Sequence, residues 1–224
     1  MTFSFFYTYY GQRHMIPLIQ AQGLHCTIID DGTPEPLGPV QGCDVWRIEE
    51  DIEWNIPGAK NLGFHVLDGW ILHLPIDHIL TPDVHAQIDA MPKERGTIYC
   101  FASIYEGVVE YVSPHDMILV HKEDFEVIGG FDEDFAGHYG YEDGLFWQMC
   151  CNRLKAVEHF DIRVPWLPAG KTTNDRRNSS RNLAIFNAKD KFHMNTPRLR
   201  FRYHREGNGN ESTAYLPHDE VVQP

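Results

Sequence analysis

The residue types that could do chemistry concentrate in one stretch. It runs Gly129-Gly130-Phe131-Asp132-Glu133-Asp134-Phe135, then Gly137-His138-Tyr139-Gly140-Tyr141-Glu142-Asp143. Glycine lets a backbone turn tightly or approach a ligand closely. The aromatic rings offer flat apolar faces for sugars and bases to stack on. A carboxylate held beside such a pocket can take the proton of a hydroxyl nucleophile. Glu142 and Asp143 precede the apolar run Leu145-Phe146-Trp147, which places them in the first turn of a predicted helix, where the helix dipole favours negative charge. Read alone, the pair also suits an acidic loop capping a buried helix.

The elements that must position this stretch are legible upstream. Residues 3–9 form a β-rich run and residues 15–22 have helical spacing. His25-Cys26-Thr27-Ile28-Ile29 is a second strand that stops at Asp30-Asp31-Gly32-Thr33. Strand, helix, strand with short connections predicts a parallel βαβ unit, and ligands bind such sheets beyond the carboxyl ends of their strands. Residues 45–48 read as a third strand. Asn55 is a good helix N-cap with Pro57 in the first turn, and Gly58, Ala59 and Gly63 would let that helix lie close to a neighbour, with Lys60 offering a cation. The helix ends by Gly69. The buried strand Trp70-Ile71-Leu72-His73-Leu74 delivers Pro75-Ile76-Asp77-His78 to the same edge. Residues 98–105, 108–112 and 117–120 read as strands, 122–128 as a short helix and 158–164 as a late strand. His14, His65, His73 and His85 lack ligand-like spacing and read as surface or helix-face residues. Trp54, Trp70, Trp147 and Trp166 read as core.

Bulk composition excludes several classes. The 224 residues suit one domain or one domain with a tail, and 42% hydrophobic content can fill a core. Lys+Arg 19 against Asp+Glu 32 gives a net charge of -13, which argues against a nucleic-acid or anionic-membrane partner. Five cysteines without CxxC spacing imply neither a zinc site nor a disulfide framework. No basic leader and no apolar run of membrane-spanning length is present, so a cytoplasmic protein without a transmembrane segment is expected. Basic residues crowd into 176–205, and an amphipathic helix is predicted within 176–191.

Asp30-Asp31-Gly32-Thr33, then Asn55-x-x-Gly58-Ala59-Lys60-Asn61-x-Gly63, then Gly69 and a strand ending at Asp77, resembles the GT-A glycosyltransferases of the family-2 type. Gly129-Gly130-Phe131-Asp132-Glu133 with Tyr141-Glu142-Asp143 is similar to that family's acceptor-side motif, shared with galactosyltransferase relatives. The resemblance covers about two-thirds of the chain. It implies an α/β fold: a single GT-A domain over residues 1–170, with a Rossmann-like, mixed and mainly parallel central sheet flanked by helices. Residues 171–224 lie beyond the resemblance and read as a basic extension, either a solvated basic face or a flap closing over an anionic donor, ending in a loose tail.

The resemblance also implies roles. Thr8, Tyr9 and Asp30 would hold the nucleotide, with Asp30 accepting from a pyrimidine base, and Lys60 would lie near the diphosphate. Asp143 would be the base that deprotonates the acceptor hydroxyl, with Glu142 holding acceptor hydroxyls. The reaction would move a sugar from a nucleotide-diphosphate donor to a glycan or other hydroxyl acceptor, inverting the anomeric centre. The family's Asp-x-Asp metal motif is here Pro75-Ile76-Asp77, so its first carboxylate is missing. Either Asp77, with His78, holds Mn²⁺ or Mg²⁺, or Lys171 and the tail arginines neutralise the diphosphate instead. Two other readings remain: a nucleotidyltransferase on a similar sheet, and a nucleotide- or sugar-binding module without catalysis.

Overall fold

The computed structural model describes residues 3–105, 108–110, 116–167, 179–192 and 199–207. The chain starts with strand β1 (Ser4–Tyr9), a 3-10 turn at Arg13–Met15, helix α1 (Ile16–Gln20), and strands β2 (Cys26–Asp30) and β3 (Cys43–Ile48). Helix α2 (Ile56–Val66), strand β4 (Trp70–Pro75) and helix α3 (Pro82–Ala90) follow. Then come β5 (Thr97–Tyr105), β6 (Val108–Glu110), β7 (Ile118–His121) and helix α4 (Lys122–Ile128). A 3-10 turn at Glu133–Phe135 leads to α5 (Glu142–Arg153), β8 (Lys155–Pro165), α6 (Ser180–Ala188) and β9 (Tyr203–Arg205). The helix expected at 15–22 is shorter than its spacing suggests, because its first residues wind as 3-10.

The strands form one nine-stranded sheet in the order β6-β5-β7-β4-β1-β2-β3-β9, with β8 also paired to β5. Its centre is parallel: β4, β1, β2 and β3 run side by side in one direction. β7 and β9 flank this block antiparallel, and β8 runs parallel to β5. The sheet is thus an α/β, Rossmann-like arrangement with helices on both faces. β1 shows why: Phe5, Tyr7 and Tyr9 enter the core under α1 and α3, while Phe6 enters the core under α2, α4 and α5. A strand buried on both faces reads as a continuous apolar run rather than an alternation.

Close approach requires glycine at two points of α2. A Cβ on Gly63 would come within 2.2 Å of the Phe6 ring, and one on Gly58 within 2.5 Å of Phe201. Helix α2 therefore lies directly on β1, and its first turn abuts the C-terminal segment. That segment is built into the sheet, since β9 pairs with β3 (Trp46 opposite Arg205, Ile48 opposite Tyr203).

Candidate active site

The parallel strands bring their carboxyl ends to one edge. Thr8 lies between Ile29 and Pro75 in the register, Tyr9 is opposite Asp30, and Asp30 is opposite Arg47. Strand β7 runs antiparallel to β4, with Ile118 opposite His73. Asp116, two residues upstream of β7, is therefore returned to this same edge. The first turn of α5 supplies Glu142 and Asp143. Tyr141, just before it, adopts a left-handed conformation (φ 71°), as does Trp54 (φ 50°) just before the Asn55 cap of α2. Bulky residues are rarely held there, and such strain clusters at functional sites.

At the centre is a charge cluster. The Lys60 ammonium forms an ion pair with the Asp143 carboxylate, and it lies 4.9 Å from the centroid of the Phe131 ring. Burial pulls the Lys60 pKa down, but Asp143, Asp116 and Glu142 overcome this and hold it above the ordinary lysine value. Burial, then the Asp143 charge, push the Asp116 carboxyl up to about 8. Glu142 is buried, its Oε2 has no hydrogen-bond partner, and burial with the neighbouring Asp143 charge raises it to about 7. His73 is at the floor. It is a buried strand residue, not the surface residue its spacing suggested, and its Nε2 is 3.3 Å from Thr8 Oγ1. Burial holds it well below the usual histidine pKa, so it is neutral.

Asp30, expected at the nucleotide, is bonded within the protein. Its carboxylate is fully buried and accepts from Thr33 N (3.1 Å), Thr33 Oγ1 (2.8 Å), Leu37 N (2.9 Å) and Arg47 Nη1 (2.6 Å). These four donors tie Asp30 to the Asp30–Thr33 turn and the loop after it. Its neighbour Asp31 has the free valence. Oδ1 of Asp31 is buried without a hydrogen-bond partner, and burial raises that carboxyl well above its ordinary pKa. Tyr9 is buried as well, and its hydroxyl also lacks a hydrogen-bond partner.

His78, expected beside Asp77 as a metal ligand, is bonded through both ring nitrogens. Its Nδ1 is 2.8 Å from Asp77 Oδ1 and its Nε2 is 2.8 Å from Ser103 Oγ. Trp166 is not a core residue in the sense expected: its Nε1 donates to Asp77 Oδ2 at 2.9 Å. The Asp77 side chain keeps 29% exposure. Among the described residues no group of three or more His, Cys, Asp or Glu is arranged to hold a metal. Asp77 fits a cation only as a single carboxylate, oriented from behind by His78 and Trp166 in the way outer-shell partners orient ligands.

The rest of the acidic stretch is structural. Glu133 is buried and accepts from Asn61 Nδ2 (2.8 Å), Leu199 N (2.7 Å) and Arg200 N (3.1 Å). Asn61 also clasps Phe131 through both its N–H and its C=O. Asp132 caps the 3-10 turn through Asp134 N and pairs with Lys189 at 2.8 Å. Asp134 pairs with Lys189 and Arg200. Of the five carboxylates in this stretch, only Glu142 and Asp143 therefore face the strand edge. The described basic residues beyond 180 are committed too: Arg202 to Glu49 and Glu50, Arg205 to Asp44. Lys171, Arg176 and Arg177 lie outside the described residues. Asn182 on α6, which sequence reasoning missed, is fully buried. Its Nδ2 donates to the carbonyls of Phe135 (3.2 Å), His138 (2.9 Å) and Gly140 (2.9 Å).

Comparison with solved structures decides what this architecture is. TarS from S. aureus in complex with UDP-GlcNAc superposes with a TM-score of 0.60 at 12% identity, over 80% of this chain and 61% of that one. A Drosophila beta-1,4-galactosyltransferase 7 mutant, in complex with manganese, UDP-Gal and xylobiose, superposes at 0.56 and 12% identity over 89% of this chain and 83% of that one. The fold is GT-A. A mannosyltransferase from Pyrobaculum calidifontis with GDP-Man and Mn²⁺ shares it at TM-score 0.52 and 12% identity, over 73% of this chain and 56% of that one. The chain thus spans about three-fifths of the TarS and mannosyltransferase structures. No protein-family model and no curated protein matches the sequence. No helix among the described residues of this GT-A domain is long and apolar enough to cross a membrane.

Proposed function

We propose that this GT-A domain is a nucleotide-sugar glycosyltransferase that moves a sugar from a nucleotide-diphosphate donor to an acceptor hydroxyl with inversion, Asp143 acting as the base. One observation carries the reading. Asp143 pairs with the buried Lys60 yet reaches solvent, with its side chain 23% exposed, and it stands in the first turn of α5. The Lys60 ammonium pairs with it, and a carboxylate so placed can accept the proton of an incoming hydroxyl.

In this mechanism the acceptor O–H gives its proton to Asp143 as its oxygen bonds to the anomeric carbon. The bond from that carbon to the diphosphate oxygen breaks on the opposite face, and the nucleoside diphosphate departs with the electron pair. Glu142, half-protonated near neutral pH, can both donate to and accept from acceptor hydroxyls. Thr8, Tyr9 and Asp31 lie where the nucleotide would lodge, with Asp31 taking the base-accepting role first expected of Asp30. A divalent ion bound at Asp77 would add positive charge for the departing diphosphate.

A thermal-shift screen with nucleoside diphosphates and nucleotide sugars identifies the donor, because ligands that bind only the folded state raise Tm. Asp143→Asn should then lower kcat by roughly 10²–10⁴ while donor KM stays within a few-fold. NMR of the product should show an inverted anomeric configuration. Retention, or full activity in the variant, removes the assignment.

A further inference from the structure

We propose that Cys26 and Cys43 are a redox modification site: a hydroperoxide converts the two thiols to a disulfide bridging β2 and β3, and an external dithiol reverses it. The inference is independent of the role given to Asp143. No CxxC spacing marks the pair. The parallel register joins them, placing Cys26, the first residue of β2, opposite Cys43, the first residue of β3.

The two side chains share a face of the sheet. Cys26 belongs to the core cluster that holds Tyr7, Ile28 and Val45, and Cys43 packs against the same cluster. The Cys26 thiol donates to the Cys43 sulfur, with 3.4 Å between the Sγ atoms. Neighbouring strands lie about 4.8 Å apart, inside the Cα separation of about 4.4–6.8 Å that a disulfide spans. Closing the bond therefore asks for side-chain rotation and no movement of a strand.

The sulfurs have different parts to play. Cys43 is half-buried, whereas Cys26 is 2% exposed, so an oxidant meets Cys43 first. The hydrogen bond from Cys26 pulls the Cys43 thiol below its usual pKa, against burial and the Asp44 charge, which push the other way. Asp44 is itself paired with Arg205 and lies 3.8 Å from His25. The thiolate is the reactive form. It attacks one peroxide oxygen: the S–O bond forms, the O–O bond breaks and hydroxide leaves, giving the sulfenic acid. The Cys26 sulfur then bonds to the Cys43 sulfur as the S–O bond breaks, and the departing hydroxide takes the Cys26 proton and leaves as water. The thiols lose two electrons and the peroxide gains them. The bridge lies at the amino ends of the strands, away from the edge that carries Asp30 and Arg47, and it closes the segment 26–43. Closing a loop of that length restricts the unfolded chain and should raise Tm by roughly 5–10 °C.

The test treats the folded chain with hydrogen peroxide, alkylates the remaining thiols and cleaves on the amino side of aspartate. Cuts before Asp30, Asp31 and Asp44 put Cys26 and Cys43 on separate peptides, which only a disulfide holds together. Mass spectrometry should find these two peptides linked, two hydrogens lighter than their sum, and separated again by dithiothreitol. The oxidised protein should melt above the reduced one by the stated amount. Cys43→Ser should abolish both the link and the rise in Tm. Cys26→Ser should stop the reaction at a sulfenic acid on Cys43 that dimedone traps. Cys151→Ser, which removes an exposed thiol, should change neither readout. Circular dichroism checks that each variant is folded, and the wild-type peptide map stands without them. The proposal is overturned if Cys26 and Cys43 both stay open to alkylation, or if Cys43 advances to the sulfinic acid without a link. A link from Cys43 to any other cysteine overturns it too, as does a linked protein that melts below the reduced one.

Discussion

Lys60 and Asp143 form an ion pair of unequal members: the lysine side chain is 4% exposed and the aspartate side chain 23%. The cation is locked in the interior while the anion is offered to the crevice. Lys60→Met would leave Asp143, Asp116 and Glu142 crowded without a counter-ion, and they would take up protons. The acid limb of the kcat profile should move up by about 1–3 pH units, the usual influence of an opposite charge at contact. A profile that stays in place would show that Lys60 does not set the state of the base.

The proposed metal role of Asp77 can be tested apart from the hydrogen bond that His78 makes to it. Calorimetric titration of Mn²⁺ in the presence of a nucleoside diphosphate should give heat in wild type and none in Asp77→Asn. His78→Phe should weaken the binding by about 10–100-fold, as expected where an outer-shell partner is lost. Loss of all binding in His78→Phe would mean that its nitrogens are ligands after all.

Asn182 serves three loop carbonyls from a helix in the basic C-terminal region. Asn182→Ala strips those acceptors of their donor inside the protein, which should lower stability by roughly 2–3 kcal/mol. Because the loop carries Tyr139 and leads into Glu142, kcat should suffer more than donor KM. Urea denaturation and steady-state kinetics report the two effects separately.

Gly63 and Gly144 look alike in the sequence but not in the structure. A Cβ at Gly63 meets the Phe6 ring at 2.2 Å, whereas at Gly144 the nearest contact is Phe186 at an ordinary 3.7 Å. Gly63→Ala should destabilise by about 1–3 kcal/mol through overpacking. Gly144→Ala should gain about 0.5–1 kcal/mol from the stiffer unfolded chain. Thermal melts of the two variants should shift in opposite directions.

Glu142 gives stability a pH dependence. Burial and Asp143 raise its folded-state pKa to about 7, above its value of about 4.3 in an unfolded chain. The folded state therefore holds the proton more tightly. Its contribution is complete below about pH 4.3 and is lost as the pH rises through 7, at up to about 1.4 kcal/mol per pH unit. Denaturation measured from pH 4 to 8 should show this decline, and Glu142→Gln should flatten it.

Local rules in the sequence carried far because the core elements obey them. Lys122–Ile128 is helical as its pattern requires and is stopped by Gly129 in the left-handed conformation, and α5 begins at Glu142. The failures share one cause, that side-chain direction is a property of the assembled sheet. Whether Asp30 or Asp31 spends its carboxylate on the loop after β2 turns on a single residue's alternation at the strand end. His73 looked like a surface residue because a lone polar group in an apolar strand gives no sign of the Thr8 hydroxyl beside it. Asp116 and Asn182 belong to no motif, and only the antiparallel return of β7 and the packing of α6 bring them to the crevice.

The clasp between Glu133 and the amides of Leu199 and Arg200, together with the pairing of β9 on β3, has a consequence for synthesis. A nascent chain still held in the ribosomal tunnel short of Leu199 has Glu133 in place but lacks both of the amides that satisfy it. The glycine-rich loop can settle only once Leu199, Arg200 and β9 have emerged, so this part of the fold closes well after its own residues have been made.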